Sequence, residues 1–195
     1  MNYGRGHQKS ARAMPEEGSA FEYTADNRAK LEAICARYPD DQRKSAILAA
    51  LYLVQHQQGY ITASSMQHVA GILEITAADV EDVVSYYTMF YTKPVGKFVQ
   101  SVCRTLSCAL NGAERVTEAI CSKLDIKPGQ TDASGTFTLL EVECLGACDR
   151  APVVMVNDAW QENLAPDEVE TLLDDLESRG EAALSGCYHV VERAR

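Results

Sequence analysis

Two cysteine pairs restrict this chain more than any other feature of its sequence. Cys103 and Cys108 form a C-x4-C pair directly after the apolar run "FVQSVC", and Cys144 and Cys148 form a C-x3-C pair directly after "FTLLEVE". Each run reads as a short buried strand, and a helical pattern, "NGAERVTEAICSKLDI", lies between them. Such a strand–helix–strand unit places its two strands in parallel through a right-handed crossover, so both strands end at the same edge of the sheet. The two pairs are therefore expected on neighbouring loops at the C-terminal edge, where folds of this kind put their sites.

The rest of the chain is organised around that unit. Residues 1–22 are polar and unpatterned and read as a flexible lead. From Thr24 to Tyr91 the apolar spacing is helical throughout. A first helix carries Leu31, Ile34 and Tyr38 and stops at Pro39. A second carries Ile47, Leu51 and Val54, with Gly59 at its C-terminal cap. A third has Met66, Val69, Ala70 and Leu73 on one face. A fourth, opened by Thr76 as N-cap, carries Val80, Val83, Val84 and Tyr87. Four short helices with short connections make a small bundle. "YTKPVGK" breaks the pattern at Pro94 and Gly96, and the period changes after it. "VVMVN" reads as a third strand, Asn157-Asp158 as a tight turn and the stretch around Trp160 as a fourth strand. "APDEVETLLDDLESRG" closes with a helix that has Pro166 at its first helical position, an apolar stripe of Val169, Leu172, Leu173 and Leu176, and Gly180 at its end.

The expected fold is α+β, with an N-terminal helical bundle at 23–92 followed by a thioredoxin-like α/β domain at 93–180 and a C-terminal tail at 181–195.

Composition narrows the chemistry. The chain has 195 residues and a formal net charge of −10, which disfavours nucleic acid as a partner, since phosphate binding needs clustered Lys and Arg. No run of about 18 apolar residues is present to span a membrane. The N-terminal stretch has no apolar segment of a secretion signal. Seven cysteines, an odd number, then suggest a reduced compartment, in which closely spaced cysteines bind metal or act catalytically.

Four thiols at one sheet edge admit several readings: two catalytic dithiols, a structural zinc, a [2Fe-2S] cluster, or unrelated buried thiols. Dithiol catalysis favours C-x-x-C at a helix start, and these loops are longer. Zinc tolerates the spacing. A [2Fe-2S] cluster needs four thiolates from two loops, with backbone N–H groups aimed at sulfur. "CRTLSC" and "CLGAC" suit that need: Thr105, Ser107, Gly146 and Ala147 are small or hydroxylated, and Leu106 and Leu145 are placed to limit water. An added electron would deepen the negative charge of such a site inside an acidic protein, and hydrogen bonds to sulfur would offset that.

The run "FTLLEVECLGACDRAPVVMVND" resembles the small thioredoxin-like iron–sulfur subunit of the NADH dehydrogenase module of respiratory complex I, an NADH:quinone oxidoreductase. "SYYTMFYTKPVGKF", "VCRTLSC", "LDIKPGQT" and "LYLVQHQQGYI" are similar to its upstream segments, so the likeness runs from about Asp26 to about Arg179. Related subunits occur in NAD-linked hydrogenases and formate dehydrogenases. The resemblance implies that Cys103, Cys108, Cys144 and Cys148 hold one [2Fe-2S] cluster. It also implies that FMN and NADH bind a partner subunit, and that further iron–sulfur subunits complete a larger membrane-associated assembly. The chain would then be cytoplasmic, peripheral to the inner membrane, and part of an enzyme while itself using no acid, base or nucleophile. The alternatives are the equivalent subunit of a hydrogenase or formate dehydrogenase, a zinc-binding interaction module, and a thiol oxidoreductase. Ser134 and Tyr86 depart from residues common in the family and bear on the host complex, not on the ligands.

Three cysteines, Cys35, Cys121 and Cys187, match no ligand position, and Cys121 falls beside the buried stripe of its helix. "YYTMFY" reads as core or partner contact at a helix end. His56, His68 and His189 lack metal-like pairing and read as surface or capping residues. No G-x-G-x-x-G loop follows any strand.

Overall fold

The computed structural model describes residues 17–184, so Cys187, His189 and the rest of the tail lie outside the described residues. The described residues fall into two compact units, 17–94 and 95–184.

The first unit contains helices α1 (Ala25–Cys35), α2 (Ile47–Gln58), α3 (Ala63–Leu73) and α4 (Ala77–Tyr86). Their starts and stops are written in side chains. Thr24 accepts from the Asn27 N–H at α1. Thr62 and Ser65 cap α3 reciprocally, and Thr76 and Asp79 do the same at α4, satisfying N–H groups that have no partner inside the helix. Gly59 ends α2 at φ +89°. Leu31, Ile34, Leu51, Val54, Met66, Val69, Ala70, Leu73, Val80 and Val84 are buried in one core, and Val83 packs against it.

Several expectations fail here. Tyr38 lies outside α1 and is exposed, because α1 ends at Cys35, three residues earlier. Tyr87 is the exposed C-cap of α4 and contributes little to the core stripe. A 3-10 helix, Asp40–Ala46, precedes α2. Phe21, within the stretch that reads as a polar lead, is buried, and its N–H bonds the Ser64 hydroxyl at 3.0 Å. His68 is half-buried, not a surface or capping residue, and stacks edge-on to Phe21 and Tyr23 with ring centroids 5.6 and 5.5 Å away. His56, by contrast, is exposed as expected of a surface residue, and it meets the Tyr52 ring edge-on. The "YYTMFY" segment divides: Phe90 is buried, whereas Tyr86 faces solvent. Gln55 holds its end, donating to the Met89 carbonyl and accepting the Tyr91 N–H, both at 2.8 Å.

The second unit is a four-stranded sheet with helices. Its strands are β1 (Phe98–Cys103), β2 (Phe137–Val142), β3 (Val154–Val156) and β4 (Ala159–Gln161), in the spatial order β2-β1-β3-β4. β1 and β2 are parallel, in a register running from Phe98 opposite Phe137 to Cys103 opposite Val142. β3 and β4 add antiparallel strands. β1 is the central strand and all six of its residues are buried.

Between β1 and β2 lie α5 (Leu106–Leu110) and α6 (Ala113–Leu124); α7 (Val169–Arg179) follows the sheet. Val116, Ile120, Val169, Leu173 and Leu176 pack with Phe98, Phe137 and Leu139 in the second core. Pro166 opens a single 3-10 turn before α7, where the Glu168 carboxylate accepts the Ala165 N–H at 2.9 Å.

Gly96 is there for space. A Cβ on it would lie 2.8 Å from the Phe137 backbone, and its N–H donates to the Thr138 hydroxyl at 2.6 Å. This brings the chain onto the start of β2 before β1 begins.

Candidate metal centre

The parallel register ends β1 at Cys103 and β2 at Val142, side by side, so the chain leaves the sheet twice at one edge. After β1 it enters "RTLSC" and α5, which carries Cys108. After β2 it enters "ECLGAC", with Cys144 and Cys148. Three hydrogen bonds tie these exits together. Arg104 N–H donates to the Val142 carbonyl at 3.0 Å, Cys103 N–H to the Val153 carbonyl at 3.1 Å, and the Ser107 hydroxyl to the Cys148 carbonyl at 2.7 Å.

The four thiols are arranged as two pairs. Cys144 and Cys148 have their Sγ atoms 3.4 Å apart, and Cys103 and Cys108 are within hydrogen-bonding reach of each other. Two thiolates on one tetrahedral metal with bonds of about 2.3 Å would stand about 3.8 Å apart, so a small opening of the Cys144–Cys148 pair accommodates an ion. The pairs are close enough to feel each other's charge: Cys103 acts on Cys144 and Cys148, and Cys148 acts on Cys108. Among the described residues no three His, Cys, Asp or Glu side chains gather as tightly as a single ion requires. Two pairs from two loops suit a site with two metal ions.

Within each pair one thiol is made more acidic and the other less. Burial pushes Cys103 up, but the Thr105 hydroxyl and N–H, the Leu145 N–H and Cys108 together bring it below the ordinary thiol value. Burial, together with donation to Cys103, pushes Cys108 up to about 11. Cys144 is lowered by the Gly146 N–H, which lies 3.4 Å from its sulfur, and by Cys148. Cys148 is raised by its hydrogen bond to Cys144. In each pair the less acidic thiol donates a hydrogen bond to the more acidic one. Metal binding would release the thiol protons, because the thiolate is the ligand.

Backbone amides are aimed at sulfur as a cluster requires: Thr105 and Leu145 at Cys103, Val153 at Cys108, and Gly146 at Cys144. Gly146 reaches this position with φ +85°, a conformation that costs a side-chain-bearing residue.

The pairs differ in exposure. Cys103 and Cys108 are 1% and 2% exposed, whereas Cys144 and Cys148 face solvent. Leu106, expected to limit water, is 76% exposed, because its five-residue helix turns it outward; Leu145 does pack against the core. Sequence alone undervalues two hydroxyls. Thr105 and Ser107 read there only as small residues leaving room for amides, yet Thr105 Oγ1 lies 3.2 Å from the Cys103 sulfur and Ser107 joins the loops.

Outside the site, Cys121 is half-buried on α6 and pushed up, first by burial and then by Glu141. Cys35 is buried in the helical unit.

Residues 31–177 match the model of the thioredoxin-like [2Fe-2S] ferredoxin family. The chain belongs to that family. The E-type subunit of NADH-quinone oxidoreductase from Rickettsia bellii (strain RML369-C) is 38% identical over 157 residues, covering 80% of this chain and 94% of its own length. An E-type subunit of the same oxidoreductase from Rhizobium meliloti (strain 1021) is 40% identical over 147 residues, covering 75% and 86%. Among solved structures, an air-oxidised NAD+-reducing [NiFe]-hydrogenase superposes on 69% of this chain and 23% of its own, with a TM-score of 0.61 and 18% identity, a likeness of fold. The thioredoxin-like ferredoxin fold, preceded by helices, is the α+β architecture expected from the order of elements. Family and relatives together make the chain an iron–sulfur protein of the group to which these oxidoreductase subunits belong. Among the described residues no helix is long and apolar enough to cross a membrane.

Proposed function

We propose that this chain is the electron-transfer subunit of an NADH-oxidising module of an NADH:quinone oxidoreductase. In this reading it holds one [2Fe-2S] cluster through Cys103, Cys108, Cys144 and Cys148 and exchanges single electrons with a flavin on a partner subunit. The observation that carries the reading is the convergence of four thiols, in two pairs, at one sheet edge with amides directed at their sulfurs. The names of relatives aligned over most of their own length suggest the host complex.

When bound, the cluster supplies reversible one-electron storage at iron. The chain's own residues do the rest. Cys103 and Cys108 hold one side from within the core, Cys144 and Cys148 hold the other at the surface, and the amides of Thr105, Leu145, Gly146 and Val153 offset negative charge at sulfur. The exposed pair gives the site an edge from which an electron can leave.

FMN and NADH belong to the partner, because the turn after β1 carries cysteines in place of a glycine-rich phosphate loop. Leu106 and Leu110, 76% and 78% exposed on the helix that carries Cys108, offer that partner an apolar rim. The helical unit serves as the docking arm that fixes the distance to the donor, and the complete assembly lies on the cytoplasmic side, peripheral to the inner membrane.

The test is made in the assembled complex under anaerobic NADH. Cys103→Ser and Cys148→Ser are each expected to remove or distort one binuclear paramagnetic signal while Cys35→Ser leaves it intact. A spectrum unchanged by both ligand variants overturns the assignment. Deleting residues 24–91 is expected to prevent assembly; an assembled complex with an unchanged reduction rate rejects the docking role.

A further inference from the structure

From the geometry we infer that the Thr105 hydroxyl is a hydrogen-bond donor to the Cys103 sulfur and that it raises the reduction potential of the site. This rests on the four-cysteine reading above and deepens it. Thr105 Oγ1 lies 3.2 Å from Cys103 Sγ, the sulfur that ends β1, and its hydroxyl also acts on Cys144 in the loop after β2, holding that thiol down. Its neighbour Ser107 is committed elsewhere, donating to the Cys148 carbonyl, so it does not compete for these sulfurs.

Between a hydroxyl and a free thiol either atom can donate. Once Cys103 and Cys144 are thiolates, neither sulfur has a proton to give, and the only hydrogen left for the contact is that of Thr105. Its single O–H serves one sulfur at a time, and Cys103, at 3.2 Å in a buried setting, is the favoured partner. An added electron increases the negative charge on the sulfurs, so the bond strengthens on reduction and favours the reduced state. Thr105 acts through the cysteines and is a positioning and tuning residue.

The experiment compares Thr105→Val, which keeps the shape and removes the donor, with Thr105→Ser, which keeps the donor. The full chain is purified anaerobically, its iron is measured, and its midpoint potential is read by dithionite titration with paramagnetic detection. Thr105→Val is expected to shift the reduced-to-oxidised ratio at fixed potential about tenfold toward oxidised, or about 59 mV for one electron. Thr105→Ser should stay near the parent, and all three should hold equal iron. A Thr105→Val potential equal to the parent's, with iron bound, overturns the inference. If Thr105→Val loses its iron, Thr105→Ala, which leaves room at the site, is read in the same way. Failure of both to hold iron while Thr105→Ser holds it also overturns tuning, in favour of a purely structural contact. A parent chain that binds no iron refutes the four-cysteine reading itself, a result distinct from any of these.

Discussion

The two cysteine loops leave adjacent strands at the same edge, yet they are built by opposite means. The loop after β1 is held by burial: Cys103 ends a fully buried strand, and Cys108 sits on α5 against the core. The loop after β2 is held by local bonds: Gly146 at φ +85° turns its N–H onto Cys144, Ser107 reaches across to the Cys148 carbonyl, and Arg150 grips Glu162 at 2.8 and 2.9 Å. A rigid half and an exposed half make sense for an electron carrier. The first fixes the site to the fold, and the second brings it to the surface where a partner can approach. A surface ion pair such as Arg150–Glu162 adds little energy, so the exposed half depends on its glycine and on Ser107.

That contrast can be broken. The largest effect is expected from the buried side: Cys108→Ser should leave far less than the parent's ~2 Fe per chain, while Cys148→Ser should retain some iron in a distorted site. Iron analysis of the two purified variants checks this, and equal loss would erase the distinction between the halves.

Next comes Gly146→Ala. A Cβ there meets nothing within 4 Å, so the cost is that of the backbone alone, about 1–2 kcal/mol. Chelator-driven iron loss should quicken roughly 5- to 30-fold. Gly146→Asn should be milder, since Asn tolerates positive φ. An unaltered rate in Gly146→Ala would show that this conformation is not needed.

Ser107→Ala removes one cross-loop bond, worth about 1 kcal/mol. It should loosen the exposed loop, seen as faster amide exchange around Gly146–Asp149 with β1 unaffected. Equal acceleration in β1 would mean that the buried half leans on the same bond.

The smallest effect concerns the start of β2, the strand that carries the exposed loop. Burial tends to raise the Asp132 carboxyl, but bonds from Ser134, Phe137 and Thr136 outweigh it and hold it below 3.8. A carboxyl lowered on folding stabilises the protein above its unfolded value, and this stabilisation is lost as pH falls through the folded value. Melting between neutral pH and pH 3 should thus fall less steeply in Asp132→Asn than in the parent. Superimposable profiles would remove Asp132 from the account.

Much of this is legible in sequence because it rests on local rules. Thr76 as N-cap, Gly59 as C-cap, the stripe of Met66, Val69, Ala70 and Leu73, and the order strand–helix–strand–strand–strand–helix each follow from spacing within one element. The meeting of the two strand ends, Cys103 opposite Val142, follows from the crossover rule. What sequence hides depends on contacts across long separations or on elements too short to show a period. α5 has five residues, so Leu106 reads as shielding and yet is exposed. His68 meets Phe21 and Tyr23 from more than forty residues away. Ser107 bonds a carbonyl 41 residues on, which no motif announces. Thr105 is visible two residues after Cys103, and a hydroxyl so near a ligand-type sulfur is a signal worth reading in itself.

Whether the four thiols hold a two-iron cluster is read most directly by anaerobic iron and sulfide analysis with paramagnetic resonance before and after dithionite. A red-brown protein with ~2 Fe and ~2 sulfide per chain is expected, silent when oxidised and giving one rhombic signal when reduced. A colourless protein containing zinc, or one free of iron that turns over disulfides through Cys144, would contradict the two-iron assignment.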